Sequence, residues 1–83
     1  MNWSYPLAHD VVTKSGERLR TLHDVRFYMR GLSYDRKQRE YWQKVGDWLV
    51  KAAAGASAHD LTDQLILALI MDGDLDMEKT PVR

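Results

Sequence analysis

Leu61-Thr62-Asp63-Gln64-Leu65-Ile66-Leu67-Ala68-Leu69-Ile70-Met71 is the stretch that decides how this chain folds. Only Thr62, Asp63 and Gln64 interrupt an otherwise apolar run. A helix built from it is apolar on nearly every side, so it must be enclosed by other elements or covered by a partner. Periodicity alone does not separate such a run from a buried strand. The flanks do: Ser57-Ala58-His59-Asp60 is a helix-opening pattern and Asp72-Gly73 a closing one, so the spacing predicts a helix over Ala58 to Met71.

Outward from that helix, the preceding segments must supply its neighbours. Tyr41, Val45, Trp48, Leu49 and Ala52 fall at helical spacing, with Trp42 on one edge. They predict a second helix over about Arg36 to Ala54, capped by Asp35 with Gln38 reaching back, and stopped by a left-handed Gly55. Gly46 in its middle weakens the helix and gives room for another backbone to approach. Thr21 opens the first helix, its hydroxyl placed to accept from the Asp24 amide, and Leu22, Val25, Met29 and Leu32 form its apolar face.

Ahead of the helices, β-branched Val11-Val12-Thr13 and the turn Lys14-Ser15-Gly16-Glu17 predict a hairpin of His9–Thr13 with Glu17–Thr21. A two-stranded hairpin is marginal in water and must lie on the helices. Trp3 either clips onto the domain or stands exposed as an interface anchor. The expected architecture is α+β: a short N-terminal hairpin followed by three helices, the third central, in one compact domain over residues 1–73. Residues 74–83, acidic and containing Pro81, are expected to fray.

With 83 residues the chain supports one domain, small enough that its core must be efficient or shared with another subunit. It contains no cysteine, which removes disulfides and thiolate metal sites. The uninterrupted apolar run Leu65–Met71 is far shorter than the ~20 residues a membrane span needs, and Met1–Pro6 lacks a secretory pattern, so the expectation is a cytoplasmic protein with no membrane contact. The formal charge of zero hides a division. Lys14 to Lys44 holds nine basic residues against four acidic, and Val45 onward three basic against seven acidic.

The landmarks come in a characteristic order: a Val-rich strand, a Gly turn, Thr21-Leu22-x-Asp24-Val25, Tyr41-Trp42, Ala52-Ala53-Ala54-Gly55, then Asp60 and Ala68-Leu69. Over about Val11 to Gly73 this resembles small bacterial proteins catalogued only as domains of unknown function. The resemblance implies a compact bacterial cytosolic domain and no activity or ligand.

Motifs that carry chemistry are sparse. His9-Asp10, His23-Asp24 and His59-Asp60 have the residue types of a divalent-metal site, yet two of these doublets sit in first helical turns, where capping and the helix dipole explain the Asp. Asp72-x-Asp74-x-Asp76 starts like a calcium loop, but Met77 and Arg83 stand where that loop needs Gly and Glu. Phosphate-binding Gly loops and nucleophile elbows are absent from the sequence. We therefore expect no catalytic residue, no metal and no cofactor.

Two functions lead, and a third, a small enzyme or metal protein, requires the His-Asp doublets to converge in space. The first is a non-enzymatic protein-interaction domain, self-associating or binding another protein, with Ile66, Leu67 and Ile70 at the contact. The alternative is a small nucleic-acid-binding accessory or regulatory protein that uses Arg18, Arg20, Arg26, Arg30, Arg36, Lys37 and Arg39 on phosphates, with Tyr34 and Tyr41 available to stack on bases.

Overall fold

The computed structural model describes residues 2–80. An antiparallel hairpin, β1 (Pro6–Val12) and β2 (Arg18–Thr21), leads into α1 (Leu22–Arg30), α2 (Tyr34–Lys37), α3 (Glu40–Ala53) and α4 (Ala58–Met71). The α+β class follows the sequence pattern, and α4 has the bounds that its caps predict. The helix count does not: among the described residues there are four, because the segment expected to form one helix from Arg36 is divided. Ser33, rather than Asp35, caps α2 by accepting from the Arg36 amide. Arg39 then adopts an extended conformation that breaks the helical ladder before α3. The Gln43 side-chain amide crosses the break and donates to the Lys37 carbonyl at 2.7 Å.

Local signals account for most of the other boundaries. Thr21 and Asp24 form a reciprocal capping box at α1, with the Thr21 hydroxyl accepting from the Asp24 amide and the Asp24 carboxylate accepting from the Thr21 amide. Ser57 caps α4, and Gly73 beyond its end takes a left-handed φ of 69°. In the hairpin Val11 lies opposite Leu19 and Val12 opposite Arg18, while the ladder is irregular between Pro6 and Val11.

α4 packs against both α3 and β1, with Leu61, Leu65, Ala68 and Leu69 fully buried. Thr62, an interruption in the apolar run, is also buried. Its hydroxyl donates to the Ala58 carbonyl and accepts from the Ala8 amide at 3.0 Å, so α4 satisfies a backbone donor of β1.

Val11 and Val12 point to opposite faces of β1, yet both are buried. Val11 joins the helical core. Val12 is covered by the segment after α4, where composition led us to expect a frayed end. Leu75 bridges to Thr13, the Asp76 amide donates to the Val12 carbonyl, and the buried Thr80 hydroxyl accepts from the Val12 amide at 2.9 Å. Residues 74–80 thus form a strap along the backbone edge of β1 that β2 leaves free, with Leu75 entering the same core as Val11; the remainder of the expected tail, 81–83, lies outside the described residues. The N-terminal segment is also fastened, the Asn2 amide donating to Ala53 and the Trp3 carbonyl accepting from His23.

Candidate functional site

The aspartate that ends α4 organises the polar interior. Asp72 follows the helix directly, so its carboxylate is held where the N-terminal half of α3 and the α2–α3 break converge. Its side chain is 3% exposed and accepts from four donors: the Arg36 guanidinium at 2.7 Å, the Trp42 indole N–H at 2.7 Å, the Tyr41 hydroxyl, and Arg39 at 3.3 Å. Burial disfavours the charge, but the hydrogen bonds from Tyr41, Trp42 and Arg36, together with the Arg36 charge, outweigh it and hold the Asp72 pKa below its ordinary value. Beside this cluster the Tyr28 hydroxyl donates to Asp74 and accepts from Arg36. Burial first, and then the Asp74 carboxylate, push the Tyr28 hydroxyl up to about 12. These groups join four segments of the chain, and each is occupied by another protein group.

The network changes the meaning of the basic segment. Of the seven cations proposed to contact phosphate, Arg36 and Arg39 are bound to Asp72, while Arg18 and Arg20 pair with Asp10 at 3.2 and 3.6 Å. Among the described residues Arg26, Arg30 and Lys37 form no ion pair, and all three line one groove. Tyr34 is exposed, whereas the Tyr41 hydroxyl is committed to Asp72.

That groove runs between α1 and α3 and encloses about 510 Å³. Trp42, Leu49 and Met29 contribute its apolar lining, with half-exposed Val50 at its margin and Trp3 beside it. The Arg26 guanidinium lies 4.7 Å from the centre of the Trp3 ring, so Trp3 is clipped onto the domain as one side of the trough. Gly46 lines it too. The close backbone approach expected there does not occur: a Cβ on Gly46 would meet only the Met29 methyl, at 3.7 Å. Sequence reading singled out Arg26, Arg30, Lys37 and Gly46 separately. It missed the groove because the spacing within each helix reports only that helix's own faces and not how α1 and α3 lie against each other.

On the other flank of α3, α4 presents the residues predicted for subunit contact. Ile66 is partly covered by the core, whereas Leu67 and Ile70 are each 48% exposed and Met71 is 60% exposed. Leu67 and Met71 border a shallow notch with Tyr41, Glu40, Lys44 and Gln64. The Gln64 side-chain nitrogen is buried and has no hydrogen-bond partner among the described residues.

The three His-Asp doublets are separated by the fold, on β1, at the start of α1 and at the start of α4. Among the described residues no three His, Asp or Glu side chains converge on a possible metal position. Asp72, Asp74 and Asp76 are likewise divided, serving the Arg36 cluster, Tyr28 and the amides of Glu78 and Lys79. No helix among the described residues is long and apolar enough to cross a membrane. No protein-family model, curated protein or solved structure matches the chain.

Proposed function

We propose that this chain is a non-enzymatic interaction domain that associates with a second copy of itself through α4, with Leu67 and Ile70 at the centre of the contact and Ile66 and Met71 beside them. The observation that carries this reading is the uneven covering of α4: one side is sealed by α3 and β1, while Leu67, Ile70 and Met71 remain open on consecutive turns. The rim is self-complementary in charge. Glu40 and Lys44 are both exposed beside the notch, only loosely paired at 4.0 Å, so a two-fold arrangement can place each opposite its counterpart's opposite charge. The Gln64 amide, unpartnered among the described residues, borders the same surface.

Three open side chains are few for a surface that needs roughly 800 Å² per partner in a stable complex, so the expected dissociation constant is on the order of 10 µM or weaker. Sedimentation equilibrium across that range should show a reversible monomer–dimer transition that Leu67→Glu with Ile70→Glu removes, leaving the circular-dichroism melt intact. A monomer at millimolar concentration contradicts the proposal. The nucleic-acid reading has less support, since carboxylates already hold four of its seven cations. Salt-sensitive DNA or RNA binding that is lost on Arg26→Glu with Arg30→Glu would restore it.

A further inference from the structure

We propose that the groove between α1 and α3 binds an acidic amphipathic segment of a partner protein, its apolar side chains lying over Gly46 and its carboxylates meeting Arg26, Arg30 and Lys37. This surface is separate from the α4 face and does not depend on self-association.

Charge identifies the occupant. Three cations line the trough against the single carboxylate of Asp47, in a chain whose formal charge is zero. They are also the three members of the basic set that the fold leaves without an ion pair among the described residues. Where a structural carboxylate is near, as at Asp10 and Asp72, this molecule uses it; along the groove it does not. Arg26 and Arg30 stand one helical turn apart, about 6 Å along α1, a spacing that matches successive acidic positions on a helix better than one compact anion.

Shape agrees with charge. Half-exposed Val50 and partly buried Met29 offer apolar surface where side chains can leave water, over a floor of Trp42 and Leu49 already buried by the fold. Gly46 supplies an independent observation. Glycine in a helix interior is less stable than alanine, and here neither a positive φ nor a crowded Cβ position requires it. The effect of its missing side chain is an open groove. Trp3, under the Arg26 guanidinium, holds that cation at the rim.

The probe is a synthetic peptide of about 15 residues with Leu and Phe along one helical face and Glu elsewhere, titrated into the full chain while Trp emission and anisotropy are followed. Saturable micromolar binding is expected, weakened at least tenfold by Arg26→Glu with Arg30→Glu and by raised salt. Gly46→Leu should block the groove while its melting curve confirms a folded domain. Leu67→Glu with Ile70→Glu should leave peptide binding unchanged, which separates this site from the α4 contact. The proposal is overturned if the peptide does not saturate at millimolar concentration, if a Lys-for-Glu counterpart binds equally, if folded Gly46→Leu binds normally, or if single-stranded DNA binds the same site as tightly.

Discussion

Replacing Asp72 with Ala tests whether one buried carboxylate holds α4 against the rest of the fold. The largest loss falls on the Trp42 indole N–H, which lies in a residue 1% exposed and donates to Asp72 at 2.7 Å. A buried donor left without an acceptor costs about 1–3 kcal/mol. Arg36 loses a charge-assisted bond, but its side chain is 32% exposed and regains water, so its share is nearer the lower end, about 1 kcal/mol. The Tyr41 hydroxyl can turn outward, and Asp72 has ordinary right-handed backbone angles that Ala also adopts.

The expected loss is therefore about 2–4 kcal/mol, a large part of the roughly 4–12 kcal/mol available to a domain of this size. It corresponds to a fall in melting temperature of about 10–25 °C. Asp72→Asn keeps one oxygen for Trp42 and Arg36 and can turn its amide toward Tyr41, so it should lose only about half as much. Urea denaturation followed by circular dichroism measures both variants. In a Trp42→Phe background the Asp72→Ala loss should shrink by about 1–2 kcal/mol, because the orphaned donor is gone. A loss under about 1 kcal/mol for Asp72→Ala, or equal losses for Ala and Asn, refutes the reasoning and reduces the cluster to a surface ion pair.

Thr80→Val removes the acceptor of the buried Val12 amide and should cost about 1–3 kcal/mol by thermal denaturation, whereas an unstructured end would give no change. Gly46→Ala should stabilise α3 by up to about 1 kcal/mol, since the added methyl meets only Met29 at ordinary contact distance; destabilisation would show that the site has no room. The depressed Asp72 pKa means that its contribution is present above the unfolded carboxylate value of about 4 and is lost as pH falls through the lower native value. An acid-unfolding limb should therefore flatten in Asp72→Asn. For Tyr28 the sign is opposite: its protonated form is favoured, so its contribution is present below about pH 10 and lost as pH rises toward about 12. An ultraviolet titration should show a late tyrosine component that Tyr28→Phe removes.

What could be read from the sequence depended on the distance over which each signal acts. The Thr21 box, the Ser57 cap and the glycines beyond α3 and α4 are settled within a few residues, and these boundaries were legible. The break at Gln38–Arg39 was not. The apolar stripe through Tyr41 and Val45 marks where α3 faces inward, but it does not show that Ser33 takes the cap and that Arg36 and Arg39 both serve an aspartate more than thirty positions away. Acidic composition marked residues 74–80 as solvated, while Leu75 and Thr80, two residues among charged neighbours, decide how the segment docks. The exposure of Leu67 and Ile70 was legible because an all-round apolar helix is hard to enclose in so short a chain, whereas Ile66, expected beside them, is partly covered by the core. The groove required two helices to be placed side by side.

The strap over β1 gives the domain a particular order of assembly. The hairpin, α1 and the α3–α4 pair can form from contacts nearer in sequence, but the backbone of Val12 acquires its partners from Asp76 and Thr80. That closure spans almost the whole chain and carries a correspondingly large loop entropy, so it belongs late in folding and early in unfolding. Detachment of the strap would bare one edge of the sheet and withdraw Leu75 from the core it shares with the helices. The Val12 amide is the natural reporter of that state: its hydrogen exchange measures how often the last-fastened part of the molecule lets go.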